Sequence, residues 1–190
     1  MKTIKIYTDG ACSGNQNETN TGGWGAILEY GSHQKKLFGG ESNTTNNRME
    51  MTALLKALEA IHKENQDISV FSDSAYLMSC FRDKWFETWQ KNGWRTSKKT
   101  DVENRDLWEA LLLQIKKHRI SFYRVKGHVN LNSKRIDTEA LYDKFLEWNG
   151  PSFTKEDFLE VTEKNNRADA LANQGIEQIR GKDEPVSQDH

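Results

Sequence analysis

An α/β fold, with helices covering a mixed sheet, is what this sequence predicts, and three observations carry it. The segments "KTIKIYT" (2–8), "GGWGAILEYG" (22–31) and "QKKLFGGES" (34–42) read as antiparallel strands at hairpin spacing, with glycines marking the turns. The short apolar run in "ISVFSDS" (68–74) has the character of a central strand buried on both faces. Helical periodicity follows each strand group, so the order is three strands, helix, strand, helices, strand, helix.

The first helix is read from "NNRMEMTALLKALEAIHKEN" (46–65), where Met51, Leu54, Leu55, Leu58 and Ile61 recur at helical spacing. Further helices are predicted over 74–91 and 103–117, on either side of the polar stretch "KNGWRTSKKT". A strand follows at "ISFYRVKG" (120–127), and a last helix is expected over about 166–180. Between them, Leu141, Phe145 and Trp148, then Phe153, Phe158 and Leu159, predict two short packed helices joined by a turn at "NGPS". One domain over 1–180 is expected, with an insertion at about 129–162. The polar tail 181–190 is expected to be disordered.

Acids (28) and bases (27) nearly cancel, which excludes a uniformly basic nucleic-acid binder but leaves room for a local basic patch. No segment has the length and apolarity of a membrane span or signal peptide, so a cytoplasmic protein without membrane contact is expected. Cys12 and Cys80 have neither disulfide density nor zinc spacing and read as reduced thiols.

The acids carry the chemistry. Asp9 ends the first strand and Asp73 ends "ISVFS", so a parallel pairing of those strands brings both carboxylates to one sheet edge, where open α/β sheets place their sites. Each has a plainer alternative as a helix cap. Glu50 lies at the margin of the apolar arc of its helix and faces partly inward; a capping box with Asn47 is its alternative. Asp169, in "EKNNRADALANQG", stands near an expected helix start and is open to the same reading. Converging carboxylates suit a hard divalent ion such as Mg²⁺, and two such ions assist in-line phosphoryl displacement, which makes a nuclease plausible.

The blocks "YTDGACSGN", "TTNNRMEMTALLKALEA", "FSDSAYL", "GWRTSKKTDVENRDLW", "VKGH" and "NNRADALAN" occur in this order and together resemble type 1 ribonuclease H. The resemblance spans nearly the whole chain except about 129–162. It implies the ribonuclease H fold, a five-stranded mixed sheet in the order 3-2-1-4-5 flanked by helices, here with a helical insertion before the last helix. It implies endonucleolytic cleavage of the RNA strand of RNA–DNA hybrids, with 3′-hydroxyl and 5′-phosphate ends. The cofactor implied is Mg²⁺, two ions per site, with Mn²⁺ as a substitute. Asp9, Glu50, Asp73 and Asp169 correspond to the metal-binding carboxylates, and His128 to the mobile-loop histidine. Cys12, Asn15, Asn46 and Asn47 match the positions that read the RNA strand and its 2′-hydroxyls. Thr45 and Asn104 match a phosphate pocket for the DNA strand. Trp85, Trp89, Lys91, Trp94, Arg95, Lys98 and Lys99 resemble the basic protrusion that holds that strand, although the tryptophans could equally pack inward. The hybrid is the expected partner of a monomer.

Several positions depart from the pattern. The first glycine-rich loop, "GNQNETNTGG", is longer than usual and lacks proline, Asn43 stands where arginine is frequent, and Ala75 replaces a longer side chain. The insertion also creates a rival for the fourth acid, because "NSKRID" places Asp137 close behind His128. The match of "NNRADALAN" favours Asp169.

Overall fold

The computed structural model describes residues 2–14 and 20–183, so Asn15 and the end of the polar tail lie outside the described residues. The first three strands, β1 (Ile4–Ser13), β2 (Thr21–Tyr30) and β3 (His33–Ser42), form an antiparallel meander. Helix α1 (Asn46–Glu59) crosses over to β4 (Asp67–Ser72), which pairs parallel to β1. Helices α2 (Ala75–Arg82), α3 (Trp85–Lys91) and α4 (Arg105–Ile115) lead to β5 (Arg119–Arg124), parallel to β4. Helices α5 (Thr138–Asn149) and α6 (Lys155–Asp183) complete the chain. The sheet order is β3-β2-β1-β4-β5, as the resemblance implies. Among the described residues no helix is long and apolar enough to cross a membrane.

The sheet has a core on each face. On one, Ile6, Ile68 and Val70 meet Leu54 and Leu58 of α1, Leu77 and Phe81 of α2, and Trp108 of α4. On the other, Tyr7, Ile27 and Phe71 meet Phe145 of α5 and Phe158 and Val161 of α6. This alternation along β1 and β4 is the period-two pattern of strands covered on both sides.

Two helices differ from expectation. The span 74–91 breaks between α2 and α3, where Lys84 adopts a left-handed conformation (φ 54°). Phe81 stacks on Phe122 at 4.3 Å, and Arg82 donates to the carbonyls of Phe122 and Trp148, so α2 is committed to β5. The turn then redirects Trp85 and Trp89 towards Tyr76 and Trp108.

The second difference is larger. The insertion does hold two helical segments with a turn at Gly150–Pro151, but the second is continuous with the final helix, giving one α6 of 29 residues. Polar residues in "TEKNNR" look like a break in the sequence. In three dimensions Thr162, Lys164 and Asn165 are buried, and the Lys164 ammonium is neutralised by Glu29 of β2 and Glu160 one turn back. The second half of α6 lies against the sheet because Gly23 and Gly25 have no side chains; a Cβ at either would overlap the carbonyl of Ala172 or Ala168.

Candidate active site

Strand register brings the first two acids together. Thr8 of β1 pairs with Ser72, the last residue of β4, so Asp73 just beyond β4 stands level with Asp9. Asp9 lies inside β1 and not at its end, because that strand runs on to Ser13 against β2. Glu50 arrives from the first turns of α1, whose backbone at Met49 and Glu50 sits directly over Gly10, where a Cβ would overlap it. One carboxylate oxygen from each of Asp9, Glu50 and Asp73 can be chosen so that all lie within 4.8 Å of one another.

The capping alternatives for Asp73 and Glu50 are filled by other residues. Thr45, not Asn47, caps α1, its Oγ1 accepting from Arg48 N at 3.2 Å. Ser74, not Asp73, caps α2 and accepts from Leu77 N at 3.1 Å. Asp9 and Glu50 are each 3% exposed, and Glu50 Oε2 has no hydrogen-bond partner among the described residues.

Burial first, then neighbouring carboxylates, push the Asp9 and Glu50 carboxyls far above the ordinary range. Asp73 is raised by burial too, against the opposing effects of a hydrogen bond with Asp9, the charge of His128 and a hydrogen bond from Asn165. Three acids this close cannot all ionise without a compensating cation. An all-oxygen donor set with an orphaned buried carboxylate oxygen fits a hard divalent ion.

Asp169 joins this group from the middle of α6, which rules out the capping role its sequence context allowed. Its side chain is 28% exposed, lies within hydrogen-bonding reach of Asp9, and stands 3.8 Å from Nδ1 of His128. Asp137 caps α5 instead, Oδ1 accepting from Ala140 N at 3.0 Å. Gly127 presses against Asp73, where a Cβ would overlap the carboxylate.

The remaining candidates fall into two groups beside the acids. Cys12 lies one residue before the end of β1 with Sγ 3.7 Å from the Thr44 carbonyl, and Asn46 and Asn47 are exposed in the first turn of α1. Thr45 and Asn104 are linked through Arg48, whose backbone N–H meets Thr45 and whose Nη1 donates to Asn104 Oδ1 at 3.3 Å. Arg48 also pairs with Asp106 at 2.8 Å and Glu41 at 3.4 Å.

Farther along, Lys91, Arg95, Lys98 and Lys99 are exposed on α3 and the loop after it. Hydrogen bonds between Asn92 and Arg95 and between Thr96 and Thr100 shape that loop. Trp85 is 40% exposed, Trp89 is half-buried and Trp94 is 7% exposed. Trp94 therefore departs from the ligand-facing expectation, because its indole fills the core beneath the loop and leaves the surface to the cations. Reading the sequence also missed Arg48, Asn165 and Asn166. All three lie inside the matched blocks, but only their distant partners reveal what they do.

The RNase H family model matches residues 1–142. A protein named Ribonuclease H from Syntrophomonas wolfei is 53% identical over 128 residues, 67% of this chain and 86% of that one. Another of that name, from Dechloromonas aromatica, is 41% identical over 180 residues, 95% of this chain and 97% of the relative. Among solved structures, LC9-RNase H1, described as a type 1 RNase H with the type 2 active-site motif, superposes with a TM-score of 0.68 at 23% identity. It covers 93% of this chain and 73% of that one and speaks for the fold.

Proposed function

Because the chain belongs to the ribonuclease H family of metal-dependent endonucleases, we propose that it cuts the RNA strand of RNA–DNA hybrids by hydrolysis, leaving 3′-hydroxyl and 5′-phosphate ends. The observation that carries this reading is the buried carboxylate cluster of Asp9, Glu50 and Asp73, with Asp169 beside it. Two Mg²⁺ ions, or Mn²⁺ in their place, would be held by these four acids and would supply Lewis acidity at the attacking water and the leaving oxygen.

The chain's own contributions are placement and charge. Asp9 and Asp73, brought side by side by the β1–β4 register, are assigned to the centre of the site, at the scissile phosphate. Glu50 and Asp169 flank them from two different helices. Rigid elements hold all four, so little reorganisation is needed as negative charge develops. His128, exposed and next to Asp169, is assigned the task of carrying a proton or helping the product leave.

Discrimination follows from groups that can both donate and accept. Asn46 and Asn47, with Asn15 and the Cys12 region, are assigned to the RNA strand, whose 2′-hydroxyl offers both partners in the shallow minor groove. Thr45 and Asn104 are assigned to a DNA phosphate. Lys91, Arg95, Lys98 and Lys99, with Trp85 and Trp89, are assigned to the DNA strand beyond it. Trp94 supports that loop from beneath.

A labelled hybrid tests the proposal. Mg²⁺-dependent cutting by the parent is expected to vanish in Asp73→Asn while hybrid binding and folding persist. Full activity in that variant, or cutting of duplex DNA in place of the hybrid, would overturn it.

A further inference from the structure

We infer that Asn166 is a positioning residue for His128, holding the loop from Val125 to Val129 so that the imidazole stands over Asp169. The inference rests on the assignment of His128 and Asp169 to the site proposed above. Its first support is a direct contact, because Asn166 Nδ2 donates to the Val129 carbonyl at 2.8 Å. Asn166 precedes Asp169 by one helical turn, so the same short piece of α6 grips the loop and presents the carboxylate.

The loop needs a grip. His128 adopts a left-handed conformation (φ 57°), which a residue with a side chain reaches only at a cost. Its side chain is also 77% exposed, and its Nδ1 stands 3.8 Å from Asp169, beyond ordinary hydrogen-bond distance, so the imidazole itself anchors little.

Covalent connection does not supply the anchor either. Residues 129–168 separate His128 from Asp169, including all of α5, and a connection of that length places few restraints on where its ends sit. Val129, buried beside the site at 7% exposure, and the bond from Asn166 to its carbonyl fix the downstream end of the loop. Gly127, packed against Asp73, and the bond from Val125 N to the Ser72 carbonyl at 2.9 Å fix the upstream end. His128 is thus suspended between two anchors, and Asn166 is the one supplied by the helix that carries Asp169.

This arrangement separates the effect of Asn166 from ordinary stabilisation. Asn166→Ala removes the donor, Asn166→Asp keeps the shape but puts an acceptor against the carbonyl, and Asn166→Gln retains a donor on a longer arm. In the metal-free protein, amide exchange at Gly127, His128 and Val129 is expected to speed up by about tenfold in the Ala and Asp variants, and less in the Gln variant, as one lost hydrogen bond allows. On the hybrid, kcat is expected to fall about fivefold to tenfold with KM within twofold. In a His128→Ala background, Asn166→Ala is expected to add nothing further.

An equal fall in kcat with and without His128, or unchanged loop exchange, would overturn the inference. If the Ala variant fails to fold, the comparison of the Asp and Gln variants reads the same bond. A parent that leaves hybrids uncut defeats the proposed function instead, and the exchange measurement still reports on the Asn166 tie.

Discussion

Replacing Glu50 by glutamine should make the metal-free protein more stable at alkaline pH and much less so at acid pH. The Glu50 carboxyl is 3% exposed, and burial first, then the charge of Asp73, move its titration from 4.5 up to about 8 against the opposing hydrogen bonds with Asp9 and Gly10. A group that binds its proton more tightly when folded contributes stability fully below the unfolded value, and that contribution is lost as pH rises through the folded one. The displacement corresponds to roughly 5 kcal/mol at 1.36 kcal/mol per pKa unit. Because the cluster shares its protons, the part belonging to Glu50 is smaller, about 2–4 kcal/mol. For a chain of this length that is about 5–15 °C in melting temperature.

Thermal unfolding of parent and Glu50→Gln in chelator, from pH 5 to 9, measures it. The parent midpoint should decline with pH, the variant should decline less, and the two should differ most near pH 8.5. Adding Mg²⁺ should raise the parent at pH 8.5 more than the variant, through binding to the native state. A parent midpoint that stays level in chelator, or a variant no more stable than the parent at pH 8.5, would refute the reasoning.

Other consequences can be measured directly. Asp169→Asn should lower kcat/KM on a hybrid by about 100-fold or more, as expected for removing a preorganised charge at a reacting phosphate. Asp137→Asn should leave cleavage unchanged and preserve the α5 cap, since asparagine caps as well as aspartate; the reverse pattern would move the fourth acid to Asp137. Neutralising Lys91, Arg95, Lys98 and Lys99 together should weaken hybrid binding and flatten its dependence on salt by roughly 3 in log–log slope, slightly less than one per charge because Arg95 already faces Asp101 at 3.4 Å. An unchanged slope would remove the α3 loop from the interface.

What the sequence disclosed follows from the range of the forces involved. Strands and the first helix were legible because their apolar residues repeat at the period of the element, and Asp9, Glu50 and Asp73 because they punctuate those elements. The continuity of α6 was hidden, since burial of Lys164 depends on Glu29, far upstream on β2. Trp94 was ambiguous for a similar reason. Beside lysines and an arginine its indole suits either a ligand or the core, and only the position of Trp89 and Trp108 decides. Thr45 displaced Asn47 as the α1 cap by starting the helix two residues earlier than the capping-box pattern required.

The unbroken run of α6 from the insertion to Asp169 ties the two together by rotational phase. A loop absorbs an added or lost residue by bulging. A helix turns by about 100° for each one, so a single deletion between Phe158 and Asp169 would swing the carboxylate away from Asp9 or lift Phe158 and Val161 out of their core. Length changes in this stretch preserve both faces only near whole numbers of turns, about seven or eleven residues at a time. The insertion can therefore vary in length at the turn after Gly150, while α5 is held by Phe145 in the core and the second half is geared to the site.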